Sequence, residues 1–174
     1  MVSRKLSPLE RASMAGLTCR VVEICVFRFV RDDPHYLLLR RSKKEPVYPG
    51  IWQLVSGMIE GEEKAYEAAL RELREETSLQ PLRFWVAPFV NAFYNPVEDQ
   101  VNVTTMFAAE VDPAVEVAIS PEHEEFQWLS SDDAMVRLVW PGQRQGLRVV
   151  HQEITLGEQA GRLLQIDVPK GRRG

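Results

Sequence analysis

Two rhythms of hydrophobic and polar residues run along this chain. Residues 20–30, RVVEICVFRFV, are dense in β-branched and aromatic side chains, and residues 36–39 resume that character. Between them Arg31-Asp32-Asp33-Pro34 carries the charges and proline of a turn, so the pair reads as a β-hairpin. Residues 42–50 form a polar loop with Pro46 and Pro49, followed by a short strand at 51–55 that stops at Gly57. From Glu62 to Thr77 the period changes. Ala65, Ala68, Ala69 and Leu73 recur at three and four, with strong helix formers between them, which predicts an amphipathic helix. Strand character returns at 84–94 and 101–111, divided by a turn at 95–99, and again at 126–129. Ser130-Ser131-Asp132-Asp133 reads as a helix N-terminus, and 142–156 as a last helix. The pattern contains no internal repeat. Strands before, between and after the helices predict one α+β domain, a mixed sheet with helices packed on it. Residues 1–19 lack any period and read as an N-terminal arm, 20–157 as the domain, and 158–174, with a basic end at 170–173, as a C-terminal tail.

Composition bounds the class. A chain of 174 residues, 45% hydrophobic and 26% charged, suits a single domain that buries roughly 70% of its unfolded surface. Its two cysteines, Cys19 and Cys25, lie six residues apart on one predicted strand, which points to reduced thiols and a reducing compartment. The apolar runs fall far short of the ~20 residues of a membrane helix, and the N-terminus lacks an apolar signal core. Both features predict a cytoplasmic protein without a membrane partner. With 21 basic against 25 acidic residues and a net charge of −4, there is no basic stripe, and stable nucleic-acid binding is not expected. The acidity is local. Residues 60–76 hold seven glutamates against Lys64, Arg71 and Arg74, which accounts for the whole net charge.

Within the predicted helix, Glu72, Glu75 and Glu76 stand at i, i+3 and i+4, on one face. Like charges at that spacing repel by a few tenths of a kcal/mol per pair, on the order of 0.3 kcal/mol, so the face either lies in water or binds a cation. Oxygen ligands without His or Cys favour Mg²⁺, with Mn²⁺ as a substitute, and Mg²⁺ recruits substrate phosphates. Gly57 allows a close backbone approach, and Arg71 can orient a carboxylate by a charge-assisted pair. A solvated acidic face accounts for the three glutamates alone. Their register with Gly57, Glu63 and Arg71 favours the metal.

The stretch 57–79, GMIEGEEKAYEAALRELREETSL, resembles the signature of the Nudix hydrolases, G-x5-E-x7-R-E-U-x-E-E-x-G-U with U aliphatic. It matches at Gly57, Glu63, Arg71, Glu72, Leu73, Glu75, Glu76 and Leu79. Ser78 replaces the last glycine, which implies an altered helix C-terminal turn and leaves the ligand set intact. The resemblance implies an α/β/α sandwich with a mixed central sheet, and hydrolysis of a nucleoside diphosphate linked to a moiety X. It makes Glu72 and Glu76 the principal metal ligands, Glu75 a third or water-mediated one, and Gly57 a carbonyl donor. Glu63 would brace the site with Arg71. Water activated by Mg²⁺ would attack phosphorus, with a general base drawn from the helix or a distant loop.

Two further features are similar to the dATP pyrophosphohydrolase branch, which also acts on dihydroneopterin triphosphate. They are Trp52-Gln53-Leu54-Val55-Ser56-Gly57, with Val-Ser where many members have Pro-Gly, and Glu122 to Leu129 with the helical tail behind it. That resemblance makes Glu122 the distal metal-site carboxylate. Arg40 and Arg41 are candidates for phosphate contact, and Tyr48, Trp52, Phe93 and Tyr94 for stacking a base. His123 reads as a packing histidine rather than a base. The expected partner is a nucleotide or nucleotide derivative, with the monophosphate and pyrophosphate as products and the oligomeric state open to a homodimer. An ADP-ribose, nucleotide-sugar or dinucleoside-polyphosphate hydrolase is the alternative enzyme, and a nucleotide-binding module without turnover the alternative class.

Overall fold

The computed structural model describes residues 16–96 and 98–168. Its centre is β1, Gly16–Val30, which turns at Arg31 and Asp32 into β2, Asp33–Arg41. Both turn residues have positive φ, 52° and 70°, the geometry that lets a two-residue hairpin follow strand twist. β1 then splits its neighbours. β6, Gln100–Val111, runs parallel along one edge. Along the other edge lie β2 at the hairpin end and β4, Val55–Met58, opposite Val21–Ile24. β5, Pro81–Asn95, pairs antiparallel with β6, while β3, Trp52–Gln53, and β7, His123–Leu129, flank β2. The result is the expected mixed sheet, of seven strands.

Alternation along β1 separates two cores. Val22, Ile24 and Val26 face α1, Ala65–Thr77, and pack with its Ala68, Ala69 and Leu73. Cys25 and Phe27 face the opposite side, where α3, Pro141–Val150, contributes Leu147 and Val150. Between them in the chain, α2, Ser131–Arg137, starts from Ser130, whose Oγ accepts the Asp133 N–H. Helices therefore cover both faces, the expected α/β/α sandwich.

Several boundaries differ from the sequence pattern. The sheet takes in residues 16–19, because Gly16, Leu17 and Thr18 pair with Gln100, Val101 and Asn102. Gly57 does not stop a strand; it lies inside β4, opposite Val22, and the break falls at Leu54. α1 begins at Ala65, since Glu63 bends back to accept the Glu60 N–H at 2.7 Å and Glu67 accepts the Lys64 N–H at 2.9 Å. The helix predicted at 142–156 ends at Val150 and continues as a π-helical turn, His151–Thr155. The cause is Tyr36, fully buried on β2, whose hydroxyl needs partners and finds His151 Nδ1 at 2.8 Å and Thr155 Oγ1 at 3.1 Å. The chain then forms α4, Glu158–Leu163, and packs back on β5. Val86 N–H donates to the Leu164 carbonyl, Ile166 N–H to Phe84, and Trp85 Nε1 to Gly161. Residues 158–168 thus belong to the packed body, while residues 1–15 and 169–174 lie outside the described residues. Both cysteines are free, Cys19 exposed and Cys25 buried. Among the described residues no helix is long and apolar enough to cross a membrane.

Ser78 ends α1 in the left-handed conformation, φ 59°, with its N–H on the Arg74 carbonyl. A residue with a Cβ is strained there, on the order of 1 kcal/mol. Ser78 is exposed, so Ser78→Gly relieves strain without opening a cavity. We expect a gain of about 0.5–1 kcal/mol, read in urea unfolding as a higher midpoint at unchanged slope.

Candidate functional site

The last turns of α1, strand β4 and the loop before β7 meet at one acidic edge. Arg71 is its hub. Its Nη2 donates to Glu63 Oε1 at 2.8 Å and to the Met58 carbonyl at 2.8 Å; its Nη1 donates to Glu72 Oε1 at 2.8 Å and Glu75 Oε2 at 3.1 Å. The planar fork serves three carboxylates and one carbonyl at once, which a lysine cannot do. The Glu63 hydrogen bond is the main reason the guanidinium is held further into its charged form. In return Arg71, followed by the Glu60 N–H, holds the Glu63 carboxyl below its ordinary range. Glu63 and Arg71, the pair expected to brace the site, are in direct contact through two hydrogen bonds, at 2.8 and 3.3 Å.

Gly57 and Glu72 fit each other. A Cβ on Gly57 would fall inside the Glu72 carboxyl group, so only glycine lets that carboxylate lie against β4. Burial raises the Glu72 pKa, opposed by its bonds from Arg71. Glu76 is deeper, 5% exposed. Burial first, then the charges of Glu72 and Glu122, pushes its carboxyl up to about 9. The Ser56 backbone N–H bonds this carboxyl, yet Oε2 is left buried without a partner.

Glu122 comes to this edge through backbone bonds that no side-chain pattern announces. Ala118 N–H donates to the Thr77 carbonyl and Ser120 N–H to Glu76, so the loop hangs from the end of α1. Ser42 N–H then holds the Glu122 carbonyl at 2.8 Å. The Glu122 charge bears on both Glu72 and Glu76. His123, the next residue, is 5% exposed, and burial pushes its pKa down to about 4, in keeping with a neutral packing histidine.

A divalent cation suits this donor set. The groups are all oxygens, Glu76 Oε2 lacks a partner, and Gly57 clears room for Glu72. As the side chains stand, no three His, Cys, Asp or Glu among the described residues are gathered closely enough to hold a metal. Arg71 occupies oxygens of Glu72 and Glu75.

The other candidates lie at varying distance from this edge. Arg41 exerts its charge on Glu76 and His123, while its fork holds Glu45 at 3.0 Å and the Val47 carbonyl at 3.0 Å. Arg40 is committed to Glu124 and Glu125 at 3.3 and 3.2 Å. Trp52 packs on the α3-side core with Arg137 over its ring, and Tyr48 stands edge-on to Trp140 at 4.9 Å. Phe93 and Tyr94 are exposed on β5.

Comparison with known proteins agrees with this architecture. The family model described as NUDIX domain matches residues 20–150. The chain is 32% identical over 130 residues to an octanoyltransferase of Myxococcus xanthus, covering 74% of this chain and 36% of that protein; it spans about a third of that relative's length. It is 25% identical over 111 residues to the nucleoside triphosphatase NudI of Klebsiella pneumoniae (strain 342), covering 60% of this chain and 79% of that protein. Among solved structures it is similar to the dihydroneopterin triphosphate pyrophosphohydrolase of E. coli. The TM-score is 0.60 at 20% identity, over 74% of this chain and 91% of that one, a likeness of fold.

Two predictions follow from the buried acid and the fitted glycine. Without divalent cations, Glu76 is ionised in the unfolded chain above pH about 4.5 but keeps its proton in the folded one up to about 9, so its contribution to stability is lost as pH rises through that window. His123 acts oppositely: its folded pKa of about 4 lies below the unfolded 6.5, so stability is lost as pH falls between them. Urea midpoints measured in EDTA should therefore fall on both sides, and Glu76→Gln should flatten the alkaline limb alone. Gly57→Ala displaces Glu72, and calorimetric Mg²⁺ titration should show at least about tenfold weaker binding with native far-UV dichroism retained.

Proposed function

The chain belongs to the Nudix family, and on that premise we propose that it hydrolyses a pyrophosphate bond of a nucleoside triphosphate or related nucleoside diphosphate derivative, with Mg²⁺. The observation that carries this reading is the Glu76 carboxyl, buried against Glu72 and Glu122 with one oxygen unpaired. Burial and the charges of Glu72 and Glu122 disfavour the ionised Glu76, and a cation at this edge would relieve both.

In this reading Glu72 and Glu76 hold Mg²⁺, with Gly57 offering its carbonyl and Glu75 and Glu122 completing the oxygen set. The ion supplies charge neutralisation to the phosphoryl oxygens and lowers the pKa of a water at the site. Everything else is done by the chain. Arg71 and Glu63 keep the ligand face of α1 in one conformation, so little reorganisation is left for the moment of reaction. Glu75, with a side chain 55% exposed, is free enough to take a proton from the attacking water. Arg41, already beside Glu76, can turn from Glu45 to a phosphate oxygen. The triphosphate reading is supported by the nucleoside triphosphatase among the relatives.

The test is a Mg²⁺-dependent turnover screen across deoxynucleoside triphosphates, dihydroneopterin triphosphate, ADP-ribose, nucleotide sugars and diadenosine polyphosphates. We expect triphosphates to rank first in kcat/KM, with monophosphate and pyrophosphate as products by phosphorus NMR. Glu76→Gln should lower kcat by at least about a hundredfold at saturating Mg²⁺. Full activity in that variant would remove the acidic helix from the reaction, and an orthophosphate product would move the attack to another phosphorus.

A further inference from the structure

Glu23 lies on β1, on the sheet face that α3 covers, and is 6% exposed. Nothing in the proposed hydrolysis uses it. Gln143 of α3 donates from Nε2 to Glu23 Oε1 at 2.9 Å, while Gln143 Oε1 accepts the Leu54 N–H at 3.4 Å. Asn91 of β5 bonds the same carboxyl. Glu23 Oε2 has no partner, and neither does the hydroxyl of fully buried Thr104, which faces Asn91 across the β5–β6 ladder. An orphaned buried carboxylate oxygen is costly, and an apolar side chain of similar volume would avoid that cost. The surroundings are nevertheless shaped around these polar groups. A Cβ on Gly142 would run into Asn91, and one on Gly146 into Met106, so two glycines seat α3 directly over them.

The position is adjacent to the acidic edge through β4. Glu23 faces Ser56 across the β1–β4 ladder. The next residue, Gly57, turns to the opposite face and meets Glu72. β4 pairs with β1 and with no other named strand, and the Ser56 N–H is spent on Glu76, so its outer edge opens toward the site. An elongated ligand laid across that edge with its phosphates beside Glu76 would extend its far end toward the sheet face that carries Glu23. Trp140 is the N-cap of α3, three residues before the Gln143 that bonds Glu23, and Tyr48 stands edge-on to it.

Resting on the pyrophosphohydrolase reading above, we propose that Glu23 selects the substrate's heterocycle, its Oε2 accepting a hydrogen bond from an exocyclic amino group of a purine or pteridine. The Tyr48–Trp140 pair flanks the ring, and Thr104 offers its hydroxyl to the same edge. Burial raises the Glu23 pKa while the bonds from Gln143 and Asn91 lower it, and an incoming N–H donor acts in the same direction as those bonds.

Deoxyinosine triphosphate tests this, because hypoxanthine lacks the amino groups of both adenine and guanine. The wild-type protein should favour dATP or dGTP over dITP in kcat/KM by roughly 10- to 100-fold, the worth of one hydrogen bond to a charged group. In Glu23→Gln, Gln143 keeps its bond to Oε1, so an NH₂ group stands where Oε2 was. The preference should vanish or reverse toward the carbonyl of dITP. Should that variant unfold on thermal melting, Glu23→Met, of similar volume and without hydrogen-bonding atoms, gives the same reading. Equal treatment of all three nucleotides by the wild type, or a uniform loss in the variant, would overturn the proposal. Calorimetric Kd values for dAMP, dGMP and dIMP need no turnover and separate the two readings. A preference for the amino-bearing monophosphates without hydrolysis keeps the role of Glu23 and defeats the pyrophosphohydrolase; hydrolysis without a preference does the reverse.

Discussion

One guanidinium holds the acidic edge of this molecule in shape. Arg71 joins Glu63, which lies before α1, to Glu72 and Glu75 on the helix and to the Met58 carbonyl at the end of β4. Without it three carboxylates on adjacent turns would repel, the segment before the helix would lose its tie, and the helix would lose its link to the strand. Its charge opposes part of the desolvation suffered by Glu72. Glu76 receives no such bond and shows the consequence, a carboxyl far above its ordinary pKa. The edge is thus divided between acids already satisfied by the chain and one left to be satisfied by something else.

That division explains why α1 is built as it is. Its inner positions, Ala68, Ala69 and Leu73, are small or flexible and let the helix lie close on Val22, Ile24 and Val26. Close packing carries Glu76, on the same helix, into the shadow of the sheet. A bulkier residue at Ala68 or Ala69 would lift the helix, expose Glu76 and return its pKa toward normal, so core packing and site chemistry are one constraint.

Much of this was legible in the chain. The spacing of Glu72, Glu75 and Glu76, their register with Gly57, Glu63 and Arg71, and the αL turn at Ser78 are local properties, and local properties survive folding. What escaped was tertiary. The end of α3 depends on a tyrosine hydroxyl more than a hundred residues away, and residues 158–168 dock on β5 by backbone bonds that carry no side-chain signature. Arg40 reads as a free cation at a strand end; only the pairing of β2 with β7 puts it against Glu124 and Glu125. Nothing in the sequence pattern singles out Glu23, because its company of Gln143, Asn91 and Thr104 comes from three other elements.

β4 is four residues long, and consecutive residues of it serve opposite faces: Ser56 across from Glu23, Gly57 against Glu72. A strand has a period of two, so deletion or insertion of a single residue between Leu54 and Gly57 would exchange the faces, presenting a Cβ to Glu72 and a glycine to Glu23. The stretch before Trp52 is loop and has no strand register to lose. Among homologous chains, gaps should therefore collect before Trp52 and be absent from the few residues that follow, where a change of length would exchange the two faces.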